Sequence, residues 1–593
     1  MGGNRAKLTI LFPDQEHVVY QAVPEETLHD LGMDAICQRV TADPKEQAMI
    51  LQVLRSLTPD ARVARYRAEV FDDLFHHPEI REKLLALLDH VKFLNDFGAT
   101  RRSAEEGVGV WDLIHRLDEL RDYIATVEAM EDCLKDGGLQ SEGLRELRRG
   151  IHAIWEDSGF EGLKKDIAAL RATTDSVKCV TVGLNLNERF EPVQAGLVSV
   201  NSKAFSRSSL LQHFAGALMR RDQVQPTEEW NGSMAWEPAD SGSSFLGAKI
   251  DELARTTTRM RNPLLAMTMA HVPDADGARE LPRTMDSALT HLLSGLVRKL
   301  REVLNRYAAV SIREVSDLIP ELVYYIRWTE YWEKLREEGW VFCRPEALEP
   351  EKDPQRMEAR GFYNLKLTLV ETPGTTVRND LGFDGERRVY LLTGANRGGK
   401  TTVTQAVGQM FLMAQGGLYV PAEVFSWVPA DGVYTHFPAD EDQTLDLGRL
   451  GEECRRFRDQ FGKCTDRSLM LLNETFSTTS FEEGYYIATD AVRALLEKRV
   501  RCIYNTHMHK LAQELTGPEQ PPAFSGACSL IVRSEGQKRS FRIEAAPPEG
   551  SSYARDIAEK YGVTYAQLIR PQPGGESPEN AGNPAGHGER NMV

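Results

Sequence analysis

The sequence predicts an α/β domain of the P-loop NTPase type, ABC-like, at its C-terminal end, preceded by a mostly α-helical region with a small β insertion. Three stretches carry that expectation. In the first, Val389, Tyr390, Leu391 and Leu392 form an apolar run of strand type. Gly394 to Thr401 then spell G-x-x-x-x-G-K-T, and Val403 to Leu418 is mostly apolar or small, without proline, as a helix requires. The second stretch, Ser468 to Leu472, is a buried-strand run ending in Asn473 and Glu474. In the third, Val500 to Asn505 ends in Thr506 and His507. Polar groups at the C-terminal edge of parallel strands are where α/β sheets bind ligands. A lone P-loop also fits a kinase. The acidic residue ending one later strand and the His ending another favour an ATPase.

The chemistry explains the residue types. Glycine at 394, 398 and 399 permits backbone angles that a side chain blocks, so successive N–H groups turn toward phosphate oxygens. The following helix aims its positive end at the same anion. The expected nucleotide-binding set is therefore Gly394, Ala395, Asn396 and Arg397, then Gly398, Gly399, Lys400, Thr401 and Thr402. Lys400 is expected to reach the β- and γ-phosphates of ATP, and Thr401 to place its hydroxyl on Mg2+. Glu474 is the expected catalytic group acting on the attacking water, with His507 at the γ-phosphate. Most P-loop ATPases end the second strand in Asp-Glu. Here Asn473 stands where the Asp does, offering Mg2+ a carbonyl oxygen without a charge, which predicts slow hydrolysis and a raised Mg2+ requirement.

The run Leu392-Thr-Gly-Ala-Asn-Arg-Gly-Gly-Lys-Thr-Thr, continuing to Leu418-Tyr-Val-Pro-Ala-Glu423, resembles the ATPase domain of the MutS family of DNA mismatch-repair proteins. Asn473 to Ser480 resembles that family's Walker B strand and following loop. Asn505-Thr-His507 resembles its strand-ending Thr-His, and Gly550 to Ala554 a segment shortly before its C-terminal helices. The resemblance implies a homodimer in which each site is completed by the partner, and a DNA partner of mismatched or branched structure. Asp440 to Leu447 is similar to the family's segment that reaches the partner's γ-phosphate, and Thr444 is the residue chosen within it. The family's mismatch-reading domain would precede the helical core, and the sequence leaves no room for it; a terminal nuclease module is not read either. Two other readings stay open. An ABC or SMC-type ATPase carries a Ser-Gly-Gly signature where this chain reads Phe457 to Cys464. A nucleotide-sensing scaffold that barely hydrolyses ATP is kept open by Asn473.

At 593 residues the chain is too long for one core. Hydrophobic content of 41% and charged content of 27% are those of a soluble globular protein. No apolar run reaches bilayer length, the N-terminus lacks a signal-peptide stretch, and the eight cysteines form no C-x-x-C pair. No membrane association and a cytoplasmic location are therefore expected. The net charge of −17 argues against non-specific nucleic-acid binding over the whole surface, but not against a local basic face.

Residues 1–345 read as the helical core or lever region, 346–570 as the ATPase domain, and 571–593, rich in Pro, Gly, Asn and Glu, as a disordered tail. Lys7 to Phe12 is strand-like. Helical patterns run from Glu26, from Thr41 to Glu46 onward, over Arg65 to Leu74 until His77-Pro78, from Glu79, and over Trp111 to Met130 and Leu139 to Asp157. The period changes near 177–205, where Cys179 to Leu186 and Gly196 to Val200 alternate like strands about a turn. This is either a short clamp-like insertion or a plain hairpin. Residues 222–247 read as a loop. Arg255, Arg259 and Arg261, and Arg298, Lys299, Arg301 and Arg306, are the candidate DNA-facing cations. Leu322 to Trp332 holds five aromatics expected to join the helical half to the ATPase.

Overall fold

The computed structural model describes residues 8–13, 17–85, 110–135, 138–174, 179–186, 188, 192–201, 235–236, 294–307, 317–351, 353–394, 398–438, 448–535, 538–548 and 561–569. The helical half begins with α1 (Glu25–Asp30), α2 (Met33–Val40), α3 (Pro44–Leu54) and α4 (Ala61–His76), with the short strands β1 (Gln21–Ala22) and β2 (Ser56–Leu57) paired antiparallel. Proline at the first position of α3 and the Asp43 side chain accepting from Lys45 N fix that helix start. Then follow α5 (Val110–Leu134), α6 (Glu142–Trp155) and α7 (Ser158–Thr174). The strands β3 (Cys179–Leu186), β4 (Pro192–Asn201) and β5 (Ala235–Trp236) form an antiparallel sheet. Beyond it come α8 (Ser294–Arg306) and α9 (Ile319–Glu337). Arg298 and Lys299 are exposed on α8, and Arg306 binds Asp166 at 2.5 Å. The stripe Arg255, Arg259 and Arg261, the tail 571–593, and 222–247 apart from β5 lie outside the described residues.

Two sheets make the C-terminal half. The strands β6 (Glu346–Ala347), β7 (Met357–Phe362), β8 (Asn379–Phe383) and, later in the chain, β10 (Val424–Trp427) form a mixed sheet in the order β6-β10-β7-β8. The larger sheet takes β9 (Val389–Thr393), which leads into α10 (Lys400–Gln415). Then come β10 (Val424–Trp427), β11 (Val433–His436), α11 (Gly448–Lys463), β12 (Leu469–Asn473), α12 (Phe481–Glu497), β13 (Arg501–Asn505), α13 (His509–Thr516), β14 (Ala527–Glu535) and β15 (Lys538–Glu544). The order β11-β12-β13-β9-β14-β15 is parallel except for the last pair. Side chains alternate between its faces, as strands require. Val389, Leu391, Met470, Leu472 and Tyr504 join a core under α12 and α13, whereas Tyr390, Leu392, Leu469, Leu471 and Ile503 join the larger core that runs through α10 into the helical half.

That larger core explains how the halves adhere. Tyr324, Tyr325, Trp328 and Trp332 of α9 are fully buried, and the Tyr324 hydroxyl donates to Gly416 O at 3.0 Å. Arg67 of α4 is also fully buried and donates to Gln415 O at 2.8 Å and Leu11 O at 2.6 Å. The strand expected over Lys7 to Phe12 is not formed in its described part, residues 8–12. The amides of Ile10 and Leu11 bond instead to the Glu321 carboxylate, at 2.7 and 2.9 Å, and the Leu11 carbonyl to Arg67. Side chains satisfy this backbone, so it needs no strand partner. The helix after β9 also ends earlier than apolarity predicts, at Gln415, because Gly417 turns left-handed at φ 81°.

Candidate functional site

The glycine loop joins β9 to α10 at the C-terminal edge of the parallel sheet. Gly394 has φ 135°, and a Cβ there would sit 3.1 Å from Val532 Cβ and 3.2 Å from its backbone N. Both the angle and the close approach of β14 demand glycine. Gly399, at φ 95°, precedes the first turn of α10, and a Cβ on it would meet the Phe541 ring at 3.3 Å. Lys400 is buried, and its ammonium donates to Gly394 O at 3.0 Å, folding the side chain back along the loop. Burial lowers its pKa, and the Glu474 carboxylate opposes that shift by favouring the ammonium form. Ala395, Asn396 and Arg397 lie outside the described residues.

A polar ladder runs from α10 across the strand ends. Asn473 and Asn505 face each other in register on β12 and β13. The Asn505 amide donates to Asn473 Oδ1 at 3.0 Å, and the Thr401 hydroxyl donates to the same oxygen at 3.1 Å. Thr404 donates to Asn505 Oδ1 at 3.1 Å. Thr401 thus spends its proton on Asn473 and keeps its oxygen lone pairs free, the donor type that Mg2+ prefers. Asn473 Oδ1 already accepts two hydrogen bonds, so it is better suited to orient Thr401 than to bind a cation itself. Thr402 lines the adjacent cleft, and its carbonyl accepts from Asn364 Nδ2 at 2.9 Å.

Glu474 and His507 meet beside this ladder, with Nε2 and Oε1 2.8 Å apart and both side chains partly exposed. The hydrogen bond from His507 holds the Glu474 carboxyl below its ordinary range against the opposing effect of burial, and the Lys400 charge adds to the lowering. Glu474 has φ 53°, in the left-handed region, and its amide donates to Asn505 O at 2.9 Å. A cleft of about 440 Å³ adjoins Lys400, Thr401 and Glu474, walled by Phe362, Tyr363, Asn364 and Phe541. Thr444 lies outside the described residues. Among the described residues no group of three or more His, Cys, Asp or Glu forms a metal cluster.

Asn505, Thr404 and Phe541 also belong to this site and were not among the expected residues. Asn505 had a signal: a polar residue ends an otherwise apolar strand, as Asn473 does. Phe541 had none, because β15 reaches the loop from far along the chain.

The arrangement defines a C-terminal α/β domain whose parallel strand ends converge on a glycine loop, anchored to a helix-rich half. Residues 390–566 match the family model for MutS domain V, and residues 59–338 match that for the MutS2 N-terminal domain. The chain belongs to the MutS family. It is 31% identical over 208 residues to the Endonuclease MutS2 of Thermus thermophilus, covering 35% of this chain and 27% of that protein. It is 28% identical over 244 residues to the DNA mismatch repair protein MutS of Oleidesulfovibrio alaskensis, covering 40% and 26%. With the MutS of Pelotomaculum thermopropionicum it shares 30% identity over 230 residues, 38% of this chain and 25% of that one. The matches thus span about a quarter of the length of these relatives.

Proposed function

We propose that this chain is a MutS-type ATPase that binds Mg2+-ATP, hydrolyses it slowly, works as a homodimer and couples its nucleotide state to helices that contact DNA. Mismatch repair and recombination are the processes such an activity serves. One observation carries the reading: Lys400 and Thr401 from the first turn of α10, Asn473 and Glu474 from the end of β12, and His507 just past β13 converge within hydrogen-bonding networks at one sheet edge.

Lys400 and the glycine-loop amides bind and orient the triphosphate. The cleft under Phe541 accepts the nucleoside. Thr401, oriented by Asn473, would hold Mg2+, and the ion when bound would supply charge neutralisation for the triphosphate. Glu474 is ionised at neutral pH and accepts the proton of the attacking water, while His507 fixes its rotamer. The helical half grips α10 along its length: Gln405 Nε2 donates to Asp30 O at 2.7 Å, Gln409 Nε2 to Leu31 O at 2.8 Å, and Gln415 Nε2 to Thr58 O at 2.9 Å. A displacement at the loop therefore has a rigid route into α1 and α2. Thr444 of the partner is assigned the γ-phosphate of the opposite site.

A second reading, a nucleotide-sensing scaffold, is favoured by Asn473, whose neutral amide gives the site no second carboxylate. Filter binding with duplex, mismatched and branched DNA, with and without ATP, tests the DNA assignment. ATP-dependent retention of one DNA form supports it, and equal retention of none refutes it. Sedimentation that stays monomeric at micromolar protein with Mg2+-ATP refutes the dimer.

A further inference from the structure

We propose that Glu453, on α11, is a positioning residue for Glu474, holding the turn after β12 in the strained form that keeps the Glu474 carboxylate at the nucleotide. The proposal rests on the ATPase reading above and deepens it. The turn contains two non-glycine residues in the left-handed region, Glu474 at φ 53° and Phe476 at φ 63°. For a residue with a Cβ this conformation is disfavoured, and it persists only where the surroundings over-determine it.

The anchors can be traced one by one. The Tyr504 hydroxyl donates to Thr475 O at 2.7 Å, and the Thr475 hydroxyl lies 3.0 Å from His436 Nδ1 and 3.1 Å from His436 O. The next two anchors converge on Glu453. Its carboxylate accepts from the Thr478 hydroxyl at 3.0 Å and faces the backbone N–H of Phe476, whose dipole works against the burial that raises the Glu453 pKa. The Phe476 ring, 1% exposed, packs edge-on against Phe457 one turn further along α11, at 5.4 Å between centroids. The Glu453 carbonyl accepts from His436 Nε2 at 3.2 Å. A carbonyl can only accept, so His436 carries its proton on Nε2, and its Nδ1 accepts from Thr475. Burial drives the His436 pKa down to about 4, which keeps that neutral form in place. Residue 453 thus serves the turn twice, through its carboxylate and, by way of His436, through its carbonyl.

Only one residue separates Phe476 from Glu474. If Phe476 relaxes to a right-handed or extended form, the chain direction at Glu474 changes and the carboxylate leaves His507. Among the described residues Glu453 bonds to Thr478 and His436 and not to Lys400, so its loss should act on turnover and spare binding.

The test compares Glu453→Ala, Glu453→Gln and Thr478→Val in the full chain. Three quantities are measured: ATP turnover with its kcat and KM separated, nucleotide affinity, and amide hydrogen exchange over 474–479. Glu453→Ala is expected to lower kcat roughly a hundredfold, the scale of an ångström misplacement, with ATP affinity unchanged and faster exchange at Phe476. Glu453→Gln keeps one acceptor oxygen and should recover part of the rate, and Thr478→Val should fall between the two. A Glu453→Ala protein that turns over like the parent overturns the proposal. So does one that loses ATP affinity in proportion to rate, or one that keeps the parent's protection at Phe476. If the parent hydrolyses no ATP, the ATPase reading fails, and exchange at Phe476 alone decides whether Glu453 holds the turn.

Discussion

Replacing Thr404 by Val removes one hydroxyl from the middle of the polar ladder and almost nothing else. Thr404 is fully buried, and valine has nearly the same shape. The hydroxyl shares its one proton between Lys400 O and Asn505 Oδ1, each at 3.1 Å. The Asn505 oxygen is the group left orphaned, and Asn505 is itself fully buried. A buried acceptor without its donor costs about 1–3 kcal/mol. The added methyl returns up to about 0.8 kcal/mol through burial. From the middle of that range the net expected loss is about 1.2 kcal/mol, a melting shift of roughly 2–5 °C for a domain of this size. The ladder also sets where Asn473 meets Thr401, so ATP binding with Mg2+ should weaken more than ATP binding without it. Calorimetry and nucleotide titration with and without Mg2+ check both parts. Melting within a degree of the parent, with an unchanged Mg2+ effect, would mean that Asn505 is satisfied in another way and that the ladder does not support Thr401.

Three further predictions concern the same site. Lys400→Ala should abolish tight ATP binding while circular dichroism stays that of the parent, and normal affinity would sink the P-loop assignment. His507→Ala removes the hydrogen bond that depresses the Glu474 pKa. A depressed carboxyl stays ionised until the pH falls through its folded value, so the variant should lose activity at a higher pH on the acid side; an unmoved acid limb in the kcat profile counts against the pair. Asn473→Asp adds a charge beside Thr401 and should lower the Mg2+ concentration for half-maximal turnover, as a metal titration would read.

The sequence reveals local features well and long-range ones poorly. The apolar runs at 389–392, 469–472 and 502–504 lie in β9, β12 and β13, because three or four consecutive apolar residues followed by polar ones fit a strand buried on both faces. The strand order, with β14 beside β9 and β15 at the edge, has no such local signature. The buried Arg67 is equally silent in sequence. It reads as one more charge on an amphipathic helix, yet it is enclosed by the carbonyls of Leu11, Ser56 and Gln415 and by the rings of Phe12 and Tyr20. Glu474 and His507 could be expected at the site from their strand-end positions, but their direct hydrogen bond depends on backbone angles. Glycine was anticipated in the loop, whereas a left-handed Phe476 was not, since nothing local favours it.

The central claim is that Glu474 performs hydrolysis on a nucleotide held by the glycine loop. Its most direct test is single-turnover release of labelled phosphate from ATP with Mg2+, comparing the parent with Glu474→Gln at matched nucleotide occupancy. The account predicts phosphate release by the parent and, in the variant, retained ATP with turnover reduced roughly 10²–10⁴-fold, the range for loss of a general base. A variant that releases phosphate at the parent's rate would contradict it.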